Sequence, residues 1–179
     1  MGSSLSATRP TVAAMTSLWQ LTGPEIGSDL FEEGHLDAVV VGAGITGLTT
    51  AVLLARAGQR VTVLEARTAG GLTTGGTTGK LSLLQGTVFS RIRERSGDET
   101  LHAYAEANRE GQAWLLRQLE SWGVGADRRT AYTYASEPEQ AGALEKEREA
   151  AASVGLELGE TSDPGLPFET AGALLLEEQ

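Results

Sequence analysis

The sequence contains no cysteine. Without thiols the chain cannot form disulfides, ligate zinc or an iron–sulfur cluster through cysteine, or use a thiolate nucleophile. This composition is compatible with the reducing cytoplasm, which we predict as the compartment. Histidine is also rare: His35 and His102 are the only two, far apart and without carboxylates arranged around them at ligand spacing. We therefore expect no metal site and no histidine-centred catalytic triad.

Basic residues are scarce in the last quarter of the chain. Residues 1–136 carry 13 acidic and 12 basic side chains, whereas residues 137–179 carry 11 acidic and only 2 basic ones. The arginines between positions 91 and 95 form a short cluster that Glu94 interrupts. A nucleic-acid-binding domain needs a broad basic face, so we expect no nucleic-acid partner.

One uncharged run, residues 38–55, has 18 residues and approaches the length of a membrane span. Three glycines and three threonines interrupt it, and its apolar pattern changes midway from a continuous β-branched run to a helical period. That change predicts a strand, a turn and a helix. We therefore expect no membrane partner.

The most informative part of the chain is DAVVVGAGITGLTTAVLLARAGQRVTVLEAR, residues 37–67. It predicts a strand over 37–41, a helix over 44–57 that ends at Gly58, and a second strand over 60–65. Because the first strand is a continuous apolar run, we expect it to be buried. Together these elements form a β-α-β unit.

Gly42, Gly44 and Gly47 form the pattern G-x-G-x-x-G between the first strand and the helix. In dinucleotide-binding domains the first glycine permits a tight turn, the second lets a pyrophosphate approach the backbone, and the third lets helix and strand pack closely. The amides at the helix start, with the positive end of the helix dipole, hold the phosphate charge. The residues that would supply these amides besides the glycines are Ala43, Ile45 and Thr46.

Glu65 stands 18 residues after Gly47, at the end of the second predicted strand. A carboxylate at this place accepts hydrogen bonds from the ribose hydroxyls of the adenosine half, and its charge disfavours a 2′-phosphate. The residues therefore predict an adenine-dinucleotide site, with NADP disfavoured. An FAD-dependent enzyme, an NAD-dependent dehydrogenase and a non-catalytic dinucleotide-binding module all remain open at this point.

The stretch TGGTTGKL, Thr74 to Leu81, looks like a phosphate-binding P-loop but departs twice from its pattern, G-x-x-x-x-G-K-[ST]. Thr74 replaces the first glycine, and Leu81 replaces the hydroxyl residue that holds Mg²⁺. We therefore expect no kinase or ATPase activity. The stretch is either a linker or a loop that serves another nucleotide.

Beyond this loop the alternation of strands and helices stops. The remaining pattern predicts a short helix over 87–95, a longer one over about 96–122, a strand over 130–135 and a helix from Ser136 to Val154 that Gly155 ends. The final residues, GALLLEEQ, are typical of entry into a further strand. Near the N-terminus, the segment Ser-Leu-Trp at 17–19 is expected to pack on the domain.

The region that follows the acid resembles the FAD-dependent oxidoreductases of the D-amino-acid oxidase and glycine oxidase superfamily. The resemblance rests on LEAR at 64–67, on the pattern T-T-G-x-T-T-x-K at 73–80 and on the helical E-A-N at 106–108. Members of this branch often begin with a short S-L-W segment, and some carry a C-terminal Rieske iron–sulfur domain, which this cysteine-free chain lacks. An NAD domain usually continues its strand–helix alternation, so the resemblance implies FAD as the cofactor.

The resemblance also implies that the threonine-rich stretch lies on the flavin side of the cofactor. Small residues there bring backbone amides and threonine hydroxyls close to the ribityl-pyrophosphate region. The cofactor-binding residues implied beyond the glycine turn and Glu65 are Ala66, Arg67, Thr73, Thr74, Thr77 and Thr78.

The implied chemistry is hydride transfer to flavin from a small-molecule substrate, at the C–N bond of an amine or amino acid. The implied fold is α/β: a leader over 1–34, a Rossmann-like FAD-binding β-α-β unit with its flavin-side loop over 35–85, and helices with the start of an α+β substrate domain over 86–179. A doubly wound sheet needs more than two strands. We therefore expect an N-terminal portion of a larger enzyme whose C-terminal portion is missing, inactive by itself and with its catalytic residues unidentified.

Overall fold

The computed structural model describes residues 17–23, 26–29 and 34–179. The first 16 residues of the predicted leader thus lie outside the described part. The chain divides into two compact units, residues 1–80 and residues 81–179. The first unit contains a two-stranded parallel sheet, and the second contains a three-stranded antiparallel sheet. The architecture is therefore mixed α/β, with small sheets and helices.

The first unit has the strand–helix–strand order that the sequence predicts. Its elements are α1 (Leu18–Thr22), β1 (Ala38–Val41), α2 (Ile45–Arg56) and β2 (Val61–Leu64). The two strands pair in parallel, from Ala38 with Val61 to Val41 with Leu64. Gly58 follows α2 with a φ of 82°, a left-handed conformation that suits the end of a helix. The order of these elements and the end of the helix are confirmed.

The prediction that the first strand is buried is wrong. Along β1, half-buried and exposed side chains alternate, and Val39 is 51% and Val41 83% exposed. Val40 faces Gly47 of α2. Because successive side chains of a strand point to opposite faces, α2 covers only the side that carries Val40, and the other valines remain exposed.

The second unit packs two helices with the antiparallel sheet. Its elements are α3 (Val88–Ser121), β3 (Ala131–Ala135), a 3-10 turn at Pro138–Gln140, α4 (Ala141–Ser153), β4 (Gly159–Thr161) and β5 (Gly172–Leu176). The strand order is β3-β5-β4, and both pairs are antiparallel. The predicted strands at 130–135 and near the last residues, and the predicted helix to Val154, are confirmed. The sequence did not predict β4, because Gly-Glu-Thr shows no apolar alternation.

Two helical segments meet within α3. Gly97 has φ 81° and ψ 176°, which is not helical, and so marks the boundary that the sequence predicts near residue 96. Arg93 Nε donates to Asp98 Oδ1 across this break at 2.8 Å. Although α3 has 34 residues, neither it nor any other described helix is both long and apolar enough to cross a bilayer.

Helix α4 is the centre of the core of the second unit, because it packs on two sides. Ala150 and Ala151 pack with Leu101 of α3. Leu144 packs with Leu174 of β5. All five side chains are buried, so α4 joins the helical part of the core to the sheet.

A buried carboxylate also links α4 to the start of α3. Glu147 is 0% exposed; its Oε1 accepts a hydrogen bond from Phe89 N at 3.0 Å and its Oε2 accepts one from Ser90 N at 2.7 Å. The first amides of a helix have no partners within the helix and lie at the positive end of its dipole. Glu147 satisfies two of these amides, and they give both of its carboxyl oxygens a partner, which allows the side chain to be buried.

Replacing Glu147 with alanine should therefore destabilise the protein. Two buried amides would lose their acceptor, which should lower the free energy of unfolding by about 2–3 kcal/mol. Urea unfolding followed by far-UV circular dichroism measures this difference. Glu149→Ala is the matched control, since Glu149 is an exposed carboxylate on the same helix and should change stability by no more than about 0.5 kcal/mol. Equal effects of the two substitutions would contradict the role assigned to Glu147.

Candidate functional site

The predicted glycine turn connects β1 to α2. Gly42 N donates to Leu64 O at 2.7 Å, which extends the contact between the two strands by one residue. Gly42 has a φ of 101°, where a residue with a side chain is strained. The geometry agrees with the tight turn that the sequence predicts at the first glycine.

Gly47 is required for a steric reason. A Cβ at this position would lie 1.9 Å from the Gly42 carbonyl oxygen and 3.3 Å from Val40 Cγ1. Because the carbonyl belongs to the backbone of the turn, it cannot move aside without disrupting the turn. The geometry agrees with the close helix–strand packing predicted at the third glycine.

Gly44 differs from the other two glycines. Its φ of −81° and ψ of 178° are accessible to any residue. A Cβ there would meet only Thr74 Oγ1, at the ordinary contact distance of 3.5 Å. The packing of the protein therefore does not require glycine at this position. A bare backbone at the start of α2 is what a pyrophosphate needs in order to approach the helix amides, so the residues fit an adenine dinucleotide.

The amides of the turn have partners in two other parts of the first unit. Ala43 N donates to Glu65 Oε2 at 2.8 Å, and Ile45 N donates to Thr74 Oγ1 at 3.0 Å. The Ala43 carbonyl accepts from Gly70 N at 2.8 Å. Ala43 is also the single buried residue among the described residues of the first unit. These contacts bring together the glycine turn, the end of β2 and the segment after it.

Glu65 follows β2 directly, and backbone amides hold its carboxylate. Oε1 accepts from Arg67 N at 2.9 Å, while Oε2 accepts from Ala43 N. The hydrogen bond from Ala43, then that from Arg67 and a weaker one from Ala66, hold the pKa of Glu65 below its ordinary value. Because a carboxylate has about four lone-pair sites, the exposed Glu65 can still accept hydrogen bonds from hydroxyl groups.

The threonine-rich loop, residues 69–79, begins with successive turns over residues 69–76. Four of the five threonines predicted to bind the cofactor lie in this loop. Thr74 Oγ1 accepts from Ile45 N of the glycine turn, and Thr77 Oγ1 accepts from Gly79 N at 3.2 Å. The Thr73 and Thr78 side chains are exposed and make no hydrogen bond within the part of the chain that the structure describes. The remaining predicted residue, Thr46, lies in the first turn of α2, where its carbonyl accepts from Thr50 Oγ1 at 2.8 Å.

Residues of α1 also belong to this region, and sequence reasoning did not place them there. The sequence predicts that the segment at 17–19 packs on the domain, and the segment lies on the threonine-rich loop through Ser17 and Trp19. Ser17 and Gln20 form a capping box, and the S-x-x-Q spacing could have indicated the start of a short helix. No local pattern indicated the loop as its partner.

The glycines at 44 and 47 should respond differently to substitution. Gly47→Ala should lower the free energy of unfolding by about 1–3 kcal/mol, the usual effect of overpacking. Gly44→Ser should stay within about 0.5 kcal/mol of the original protein, because serine begins helices at least as well as glycine. Urea unfolding of both variants measures the difference. If Gly44→Ser were as destabilising as Gly47→Ala, packing within the protein would explain both glycines.

Comparison with known proteins gives a match to the family described as FAD dependent oxidoreductase (DAO) over residues 37–178. YhfW of Bacillus subtilis, named as a Rieske 2Fe-2S iron–sulfur protein, is 26% identical over 152 residues, which are 84% of this chain and 30% of that protein. All-trans-retinol 13,14-reductase of Rattus norvegicus is 61% identical over 36 residues, which are 20% of this chain and 6% of the reductase. The chain thus spans under a third of the length of either relative. No solved structure matches it.

The family match includes every residue of the candidate site from Gly42 to Thr78. It also extends through both units of the structure. The chain therefore belongs to the family of FAD-dependent oxidoreductases, and its cofactor is FAD.

Proposed function

We propose that the adenosine diphosphate part of FAD binds at the glycine turn and Glu65. The observation that carries this proposal is the hydrogen bond from Ala43 N to the Glu65 carboxylate, which holds the acid beside the start of α2. Because Ile45 N donates to Thr74 Oγ1, we propose that the other amides in the first turn of α2 hold the pyrophosphate. The ionised Glu65 suits the ribose hydroxyls. Gly44 has no side chain that could block the approach of the pyrophosphate to the start of α2.

In this proposal the β-α-β unit is Rossmann-like, and each part of the site has a separate task. The turn from Gly42 to Gly47 holds phosphate charge through its backbone, and the amides of Ala43 and Arg67 orient the Glu65 carboxylate. The threonine-rich loop continues toward the flavin. Its proposed contacts are Thr73, Thr74, Thr77 and Thr78.

For the reaction, we propose oxidation at the C–N bond of an amine or amino acid. When bound, FAD supplies the acceptor for the substrate's hydride. The described residues bind and orient the cofactor, and we assign no catalytic residue among them. The resemblance to D-amino-acid and glycine oxidases supports this substrate class. The match to the retinol reductase covers only 36 residues. We therefore do not assign the reaction in that protein's name to this chain.

We also propose that the partner is a small molecule rather than nucleic acid or a membrane, and that the compartment is the cytoplasm. The basic residues form no broad face in the sequence, and the chain has no cysteine to protect from oxidation or to use in disulfides. These features support the proposal through composition alone.

Glu65→Ala should weaken FAD binding. The loss should be about 1.5–3 kcal/mol, the range for hydrogen bonds to charged groups, or roughly 10- to 150-fold in Kd. Titration of the cofactor-free protein with FAD, followed by flavin fluorescence, measures Kd, and far-UV circular dichroism checks the fold. Glu169→Ala, which removes an exposed carboxylate from the second unit, should leave Kd unchanged. A folded Glu65→Ala variant with the original affinity would remove Glu65 from the site.

FAD affinity should not change between about pH 5 and about pH 8. Hydrogen bonds from backbone amides lower the pKa of Glu65 from 4.5, so the carboxylate is ionised throughout this range. A carboxylate with a lowered pKa contributes fully to FAD binding at any pH above its ordinary pKa. Its contribution is lost as the pH falls through the pKa that it has in the folded protein. Affinity should therefore decline only below 4.5. A decline at higher pH that disappears in Glu65→Gln would contradict this assignment.

The substrate class needs a separate test on the gene product as the cell makes it. The protein is loaded with FAD and mixed, without oxygen, with amines, amino acids and alcohols of matched carbon skeletons. Loss of the visible flavin absorbance should occur with an amine or amino acid. Reduction by alcohols alone would overturn the C–N assignment. Stoichiometric FAD that none of these compounds reduces would favour the non-catalytic alternative.

A further inference from the structure

Helix α1 binds the threonine-rich loop through side chains to which the proposed function gives no role. Each of three donors reaches a backbone carbonyl of the loop: Ser17 Oγ reaches Gly75 O, Trp19 Nε1 reaches Thr77 O at 2.7 Å, and Gln20 Nε2 reaches Gly71 O at 3.2 Å. The three acceptors are 51 to 58 residues distant in sequence. The short helix and its N-cap residue thus contact the loop at three positions.

The ring of Trp19 also packs against the end of the loop. A Cβ at Gly79 would lie 2.9 Å from Trp19 Cζ2 and 3.4 Å from Cε2. Gly79 has a φ of 73°, so both its conformation and the ring contact favour glycine. Trp19 therefore holds the loop at two positions, through a hydrogen bond at Thr77 and through packing at Gly79.

Helix α1 has little other support. It has five residues, none of them buried, and a helix of this length does not form by itself in water. Its capping box, in which Gln20 N donates to Ser17 Oγ at 3.2 Å and Ser17 N donates to Gln20 Oε1 at 3.3 Å, orders the same side chains that reach the loop. Helix and loop therefore order each other.

The contacts of α1 also determine which way the loop amides point. A peptide group is planar and trans, so its C=O and N–H point in opposite directions. When Trp19 Nε1 holds the Thr77 carbonyl, the Thr78 N–H is directed away from the indole. Thr74 lies in the same loop and contacts Ile45 N of the glycine turn at 3.0 Å. The loop thus lies between α1 and the proposed phosphate site.

We propose that Trp19 is a positioning residue for the cofactor: it orients the threonine-rich loop for FAD by holding Thr77 O and packing on Gly79. The inference rests on the proposed function, because it assigns the loop to the flavin side. In this proposal Trp19 acts through the loop.

Two substitutions separate the hydrogen bond from the packing. Trp19→Phe keeps an aromatic ring and removes the donor, and it should raise the Kd for FAD about 2- to 12-fold, the equivalent of one hydrogen bond. Trp19→Ala removes both contacts and should raise Kd further. Trp122 is the matched control, since it is 56% exposed, compared with 47% for Trp19, and lies in the second unit. Trp122→Phe and Trp122→Ala should leave Kd unchanged.

Two further measurements distinguish positioning of the loop from general stability. Without FAD, hydrogen exchange should become faster at amides 71–79 in Trp19→Ala and stay unchanged in α4. At saturating FAD, the visible circular dichroism of the flavin should differ between Trp19→Ala and the original protein, with Trp19→Phe closer to the original.

The outcomes separate this inference from the proposed function. An original protein that binds no FAD overturns the proposed function and the inference that rests on it. An original protein that binds FAD, with both Trp19 variants equal to it in Kd and flavin spectrum, overturns the inference alone. Unchanged exchange at 71–79 in folded Trp19→Ala also overturns it. If Trp19→Ala does not fold, Trp19→Phe decides each comparison.

Discussion

The contact between α2 and β1 at Gly47 determines where α2 begins, and the candidate site depends on that position. A Cβ at Gly47 would lie 1.9 Å from the Gly42 carbonyl, so helix and turn approach each other as closely as their backbones allow. At this distance Ala43 N reaches the Glu65 carboxylate, and Ile45 N reaches Thr74. A larger residue would displace the helix and, with it, both amides. The close contact that packs α2 against the turn thus also determines where these two amides lie.

Two glutamates accept hydrogen bonds from backbone amides near the start of a helix, and burial decides what each can do. Glu147 is enclosed within the second unit and binds the amides of Phe89 and Ser90. Its polar atoms are inaccessible, so its role is structural. Glu65 binds the amides of Ala43 and Arg67 and remains exposed. It therefore retains lone pairs for a ligand.

The threonine-rich loop looks like a P-loop in sequence, but its hydrogen bonds are arranged differently. In a P-loop the glycine amides wrap the phosphates. Here Gly75 N donates to Gly70 O at 2.6 Å and Gly76 N donates to Leu72 O at 2.9 Å, so both amides are used within the loop. Its carbonyls at three positions are held by α1. The loop is thus a folded element between α1 and the glycine turn.

The sequence by itself determined the β-α-β order, the glycine turn, the place of Glu65 and the helix ends at Gly58 and Gly155. These features depend on neighbours along the chain and on conformations that glycine alone adopts readily. Only the tertiary structure decided which groups Trp19 and Glu147 contact, how β4 joins the sheet, and that β1 is covered on one face. Their partners lie far away in sequence, 58 residues in the case of Trp19 and Thr77, and no local periodicity encodes a contact that forms only when distant segments pack together.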